Sequence, residues 1–517
     1  MTVLLESRDD FTLANYSRVA MNGESVEIAP GAVSAMQAAR ESFMARLESD
    51  RSAFIYGTTT GGGEGARSML PPEDQPRRAR EWARRGHHGS GFGGGYAPDR
   101  LVRGIIFARL ANYIEGNAKS RPVIAERIAG MLDQPLPKLP LAGQVGPGEV
   151  LPMAHILSTL PPDDLEEGEP MALVNGSPCA AALAADVAIC ARRRLDLAEH
   201  VLALSIEAFK APLEAYDPAL KQLWRDPYES AALDALAALL HGVPTEGRRA
   251  FQAPVSYRII PRVLGQARRA LGGLEEVAEI ALSSVTDNPV YVLPDGDHPY
   301  GRAFSNGGYH NASAYPAIDA VSGSWADLCG LAERHTMKMH EESISLLPHH
   351  LSVSPDGWGG TATLTFAQIG YGEEARHEAA RTFLPVSESG GFKGQNDVSS
   401  PTFFAYAKHG RVSSCFEACL ASLAVTSSQA LFVTEREAPP ALRGFVAAIR
   451  RYVAPVDGSS VRELGSEVGE LAVAFAEVAT AGIDSLTGHP VSVDNGLRNA
   501  QTSSQSNSDL DAVRQEV

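Results

Sequence analysis

Leu141-Ala-Gly-Gln-Val-Gly-Pro-Gly-Glu-Val-Leu-Pro-Met-Ala-His155 is the stretch on which the reading of this chain turns. It follows an apolar, helix-like segment, and its glycines and proline mark it as a loop. No Ser or Cys occurs in it, and the first after Leu141 is Ser158. Downstream comes Ala172-Leu-Val-Asn-Gly-Ser177, in which an Asn before Gly reads on its own as a turn or helix cap.

Outward from that loop the chain turns helical. Residues 177 to 210 are so rich in Ala and Leu that they read as a helix buried on most sides, and residues 262 to 282 continue the theme. Val102, Ile106, Leu110 and Tyr113 share one helical face, with Arg103 and Arg109 elsewhere around it. Leu464, Val468, Leu471, Phe475 and Val478 recur at spacings of four and three, a packed helix seam. The expected architecture is all-α: an irregular, loop-rich region over 1–100, a helical body over 101–490 and a polar tail over 491–517 that need not fold.

Composition sets outer limits. A chain of 517 residues with 44% hydrophobic content can build a large core, as one big domain or two to three smaller ones. Its formal charge of −17 argues against nucleic acid or an anionic membrane as partner. Five cysteines, odd in number and without paired spacing, fit a reducing cytoplasm. Neither a targeting segment nor an uncharged run of membrane-spanning length is expected.

Four further stretches carry candidate chemistry. Tyr56-Gly-Thr-Thr-Thr-Gly-Gly-Gly63 looks like a phosphate loop but lacks the Gly-Lys-Ser/Thr ending and a preceding strand. Gly86-His-His-Gly-Ser-Gly-Phe-Gly-Gly-Gly95 contains adjacent His87 and His88, and neighbouring residues rarely share one tetrahedral metal site. His349-His350 and the His335/His340 pair show no metal-ligand pattern either, so no metal is expected. Phe251-Gln-Ala-Pro-Val-Ser-Tyr-Arg258 offers Arg258, whose guanidinium fork suits a carboxylate, or which is simply a surface Arg in a basic run with Arg262. The fourth group comprises three short stretches, Ser284-Val-Thr-Asp-Asn-Pro289, Asn306-Gly-Gly-Tyr-His310 and Gly394-Gln-Asn-Asp-Val-Ser399.

Taken in order, these stretches resemble the histidine and phenylalanine ammonia-lyase family from about Phe11 to Ala430. The family's loop reads Gly-Ser-Val-Gly-Ala-Ser-Gly-Asp-Leu-Ala-Pro-Leu-Ala-His, and its Ala-Ser-Gly triad cyclises into the electrophile methylidene-imidazolone. Here Gly143, Val145, Gly146, Gly148, Pro152, Ala154 and His155 match, the Ala-Ser pair is reduced to Pro147, and Asp becomes Glu149. The resemblance implies a bundle of long, nearly parallel helices, a homotetramer with active sites shared between subunits, and a small carboxylate as substrate. It implies a catalytic acid/base role for Tyr56, for which the residue-level alternative is a Tyr bracing a Gly-rich turn. It implies substrate-pocket roles for His88, Asn175, Gln252, Arg258, Tyr309, Gln395 and Asn396, with Arg258 as carboxylate clamp. Two departures stand out: Val255 replaces a second catalytic Tyr, and Tyr309 replaces a Phe over the prosthetic ring. No cofactor is expected. Two functions remain open: a lyase, cyclase or isomerase working without the prosthetic group on an activated carboxylate, and a non-catalytic homologue that binds a small acid or a partner protein.

Overall fold

The computed structural model describes residues 2–85, 89–157, 160, 164–249, 252–354, 359–386 and 394–487, without the side chains of 82–85. The architecture is all-α, as expected. Near the N-terminus β1 (Thr2–Leu5) and β2 (Ser25–Ile28) pair in parallel, followed by α1 (Pro30–Ser49) and α2 (Asp99–Leu110). Then come α3 (Glu169–Val174), α4 (Pro178–Phe209), α5 (Val255–Arg258) and α6 (Ile260–Ser283). A small antiparallel pair, β3 (Val290–Val292) with β4 (Arg302–Phe304), precedes α7 (Ala314–His340), α8 (Leu364–Glu378), α9 (Thr402–Val433), α10 (Arg443–Tyr452) and α11 (Leu464–Ala481).

The core is built by α4, α6, α7 and α9, with α2, α8 and α11 packed around them. Every residue from Ser177 through Ala191 is buried, because Ala side chains let neighbouring helices approach α4 on all sides. Between α7 and α9, Trp325 stacks on Phe416 at 4.8 Å. The late seam is α11, with Val468, Leu471, Phe475 and Val478 buried.

Two readings need correction. The first hundred residues contain the 20-residue helix α1, whose buried Ala32, Met36, Ala39, Phe43 and Leu47 follow helical spacing, small Ala steps having diluted the signal. Arg109 is not on an outer face of α2 but fully buried. Two runs, Glu169–Phe209 and Thr402–Val433, are long and apolar enough to cross a membrane by length and composition, yet Asp186 and Glu417 interrupt them, in keeping with the expectation of no uncharged run of that length; their apolar stretches are 94% and 89% buried inside the bundle. All five cysteines are buried and free.

Candidate functional site

The site grows from the N-terminus of α4. A helix start leaves its first N–H groups without partners, and Pro178 at the first turn has no N–H to offer. Ser177 does not cap; its hydroxyl donates instead to the Gly308 carbonyl at 3.4 Å. The acceptor comes from the loop: the Glu149 carboxylate receives Cys179 N–H at 2.5 Å and Ala180 N–H at 2.6 Å. Burial pushes this carboxyl up to about 7, against the two N–H bonds and the nearby Arg109. One residue earlier, Gly148 has φ +70°, and a Cβ there would lie 2.8 Å from Tyr309 Cδ2. The Tyr309 ring therefore rests on the loop backbone.

Asn175 closes α3, two residues ahead of Ser177. Its backbone carbonyl and that of Ala172 both accept from the buried Arg109 guanidinium, while Tyr113 Oη donates to Ala172 at 2.8 Å. Gly176, at φ +110°, has to be Gly because a Cβ would sit 2.8 Å from Arg109 Nη1. The Asn175 amide nitrogen donates to the Asn288 carbonyl at 2.5 Å and approaches Met171 Sδ at 3.6 Å. Around it the 284–289 stretch is stitched in place: Ser177 N–H donates to Thr286 Oγ1 at 2.9 Å, Thr286 N–H to Asn112 Oδ1 at 2.7 Å, and buried Lys119 pairs with Asp287 at 3.3 Å.

Met171 carries the contact onward to the Tyr56 loop. A Cβ at Gly57 would strike Met171 Cγ at 2.2 Å, and one at Gly62 would lie 3.5 Å from its Sδ. Tyr56 is half-buried and its phenol oxygen accepts Gly63 N–H at 3.0 Å. The second glycine cluster forms a strap across the 139–155 stretch. Ala97 N–H bonds Leu139 O at 2.8 Å, Leu141 N–H bonds Gly95 O at 3.1 Å, and Gly91 N–H donates to His155 Nε2 at 3.1 Å. That bond leaves the neutral His155 proton on Nδ1, and burial holds the imidazole below its ordinary value. His88 lies outside the described residues. On the loop's other side Ser400 N–H donates to Gly146 O at 3.0 Å, anchoring the segment that carries exposed Gln395 and half-buried Asn396.

Tyr56 and Asn175 thus meet around Met171, while Tyr309 and the 395–400 segment meet the 141–155 loop at Gly148 and Gly146. Gln252 and Arg258 do neither: both are exposed on or beside α5, and no described hydrogen bond joins them to these residues. Arg258 uses only Nε, donating to Ala253 O at 3.0 Å. Val255 is 57% exposed, whereas Tyr257 is buried between Phe209 at 4.2 Å and His335 at 3.8 Å. Among the described residues no three His, Cys, Asp or Glu side chains are grouped to hold a metal. Sequence reasoning missed Arg109, Met171 and Asn288 as site-builders. The one available signal was a lone Arg in the otherwise apolar run from Gly104 to Ala111.

The sequence pattern of the family described as "Aromatic amino acid lyase" matches residues 11–161 and 157–451. Histidine ammonia-lyase of Geobacillus thermodenitrificans is 26% identical over 409 residues, spanning 73% of this chain and 79% of that enzyme. The histidine ammonia-lyase of Streptomyces coelicolor is 29% identical over 370 residues, spanning 65% and 69%. Among solved structures, the ergothioneine-degrading enzyme ergothionase of Treponema denticola superposes with a TM-score of 0.81 at 16% identity, covering 93% of this chain and 99% of that one. Tyrosine aminomutase of Streptomyces globisporus gives 0.79 at 23% identity, covering 93% and 98%. These structural likenesses carry the fold.

Proposed function

The chain belongs to the aromatic amino acid lyase family, and we propose that it works there without methylidene-imidazolone, promoting elimination, conjugate addition or cyclisation, or isomerisation of an activated small carboxylate. The observation that carries this reading is the loop itself. Its residues do not fit the group: Pro147 is the sole residue between Gly146 and Gly148 and supplies no hydroxyl to dehydrate into a methylene. The Tyr309 ring fills the space beside Gly148, and Glu149 ties the next residue to α4. The intact mass is expected to equal that of the unmodified sequence. A loss of two waters mapping to residues 143–150 would overturn the reading.

An ordinary amino acid combines a poorly acidic β-hydrogen with a poor amine leaving group. Without covalent capture, the substrate must bring its own activation, an unsaturated carbonyl or a better leaving group. Histidine, phenylalanine and tyrosine are therefore expected to be inert. Tyr56 is the candidate base, its phenol positioned by Gly63 N–H. Asn175 has its amide nitrogen committed to Asn288 and Met171, which leaves its amide oxygen, unbonded among the described residues, to accept from a substrate donor. Both Nη groups of Arg258 are likewise unbonded among the described residues and suit a carboxylate.

Arg258 stands apart from the Tyr56 loop, so this reading also calls for assembly: a second copy of the chain brings its α5 to the loop within a homotetramer. Sedimentation is expected to give a tetramer, and a strict monomer at micromolar concentration would remove the shared site. Arg258→Ala deletes a charge-assisted bond worth on the order of 1.5–3 kcal/mol, so calorimetric binding of an unsaturated carboxylate such as cinnamate weakens about tenfold or more. Unchanged affinity would mean that the carboxylate lies elsewhere. The second reading, a non-catalytic binder of a small acid, draws on Val255, a hydrocarbon where the family carries a phenol. Turnover on activated carboxylates separates the two.

A further inference from the structure

The end of α4 opposite the loop carries a different arrangement. Arg436 donates through Nη1 to Glu207 O at 2.8 Å and through Nη2 to Ala208 O at 2.6 Å, the last carbonyls of the helix. Cys179 and Ala208 are separated by the length of α4, roughly 43 Å at 1.5 Å per residue. Beside Arg436, α10 along its length and the segment before it line an open groove of about 720 Å³. Four arginines line it, Arg436, Arg443, Arg450 and Arg451, against one acidic residue, Glu437. Glu437 pairs with Arg443 at 2.9 Å on the exposed rim. Glu207 reaches Arg436 at 3.5 Å but is shared with Arg248.

Two of the four have no acidic partner among the described residues. Arg450 bonds Ser428 alone, at Oγ (3.0 Å) and the carbonyl (3.3 Å), and Arg451 bonds the Leu486 carbonyl at 2.5 Å. Arg450 is partly buried, and desolvation disfavours its charged form. Uncompensated guanidiniums in a chain of net charge −17 call for an anion. The spacing says which kind. Arg443 and Arg450 are two helical turns apart on one face, roughly 10 Å, with Ala447 between them and Arg436 lining the same groove. Linked phosphates match such a row, each meeting a guanidinium fork. The remaining wall is small and aliphatic, Ala438, Val446 and Ala447, with nothing to stack on a base.

We propose that this groove binds the oligophosphate moiety of a small molecule at a second site, remote from the Tyr56 loop. The inference does not depend on the proposed function. Titration calorimetry on the full chain uses tripolyphosphate, ATP, adenosine and citrate as probes. Tripolyphosphate and ATP are expected to bind, adenosine not at all, and citrate about tenfold more weakly than tripolyphosphate, because a compact trianion cannot span the row. ATP binding much tighter than tripolyphosphate would overturn the assignment to phosphate alone. Arg443→Ala and Arg451→Ala, both on the rim, are expected to cost about tenfold each with folding untouched, and Arg450→Ala at least as much. Arg258→Ala should leave this binding unchanged. No heat with tripolyphosphate at millimolar concentration, equal affinity for citrate, or full affinity in the Arg443→Ala/Arg451→Ala double variant would each overturn the proposal.

Discussion

Tyr56→Phe is expected to lower turnover by about 10²–10⁴-fold, the range for removing a positioned acid/base, while the affinity for the same ligand stays within about threefold. The substitution removes one oxygen and keeps the ring packed on its loop. Its structural cost is one acceptor, since Gly63 N–H loses the phenol oxygen 3.0 Å away. That N–H is only part-buried, so the expected stability loss is about 1 kcal/mol and the effect on rate is separable from unfolding. Steady-state kinetics on an activated carboxylate, calorimetry and a melting curve on the same preparation make the check. Unchanged turnover would remove Tyr56 as base. An equal fall in affinity and rate would show instead that the phenol binds substrate in the ground state.

The second large effect concerns Glu149 and is read as a pH profile. The ordinary value for Glu is 4.5, and burial raises this one to about 7. Between those two values the folded protein holds a proton that the unfolded chain has released. Stability therefore falls as pH rises from about 4.5 to about 7, by about 3 kcal/mol in all, and is flat above. Glu149→Gln cannot titrate, and its amide nitrogen leaves one of the two N–H groups without an acceptor, a pH-independent cost of about 1–3 kcal/mol. Relative to the wild type it should gain about 3 kcal/mol between pH 5 and pH 8. Glu149→Ala behaves differently: it leaves Cys179 and Ala180 N–H buried without an acceptor, at about 1–3 kcal/mol each, and melts lower at every pH. Melting temperatures from pH 4.5 to 8.5 test both. Parallel curves for wild type and Gln would mean that the pull of the α4 N-terminus outweighs burial and the carboxylate is ionised throughout.

The sequence exposed what depends on local pattern. The buried α4, the α11 seam and the Asn-Gly pair at 175–176 all follow from residue type and spacing along a few turns. It hid what depends on partners distant in the chain. Arg109 looks like an outward charge because helical periodicity cannot show two carbonyls, at 172 and 175, folded over it. Ser177 before Pro178 has the form of a helix cap, yet Glu149, thirty residues before Cys179, takes that role. The same limit applies to Arg258. Its motif marks it as a clamp, but only the three-dimensional arrangement reveals that it stands exposed on α5, away from the loop it would serve. Val255 and Tyr257 illustrate the point at close range. Two positions along one turn carry a side chain from the exposed face to a stack between Phe209 and His335.

The alanines of α4 have a consequence for how this protein can drift. Ala180 to Ala185 and Ala188 bear no chemistry, and apart from Leu183 each is a single methyl group; all are at most 2% exposed. Adding even two or three carbons at such a position forces neighbours off their rotamers at about 1–3 kcal/mol, with no loop to absorb the strain. The loop ahead of α4 is where this chain departs from the family's pattern, with Pro147 for the Ala-Ser pair and Glu149 for Asp. The least distinctive letters in the chain, by contrast, are its least exchangeable ones, so the scaffold keeps its shape while its chemistry diverges.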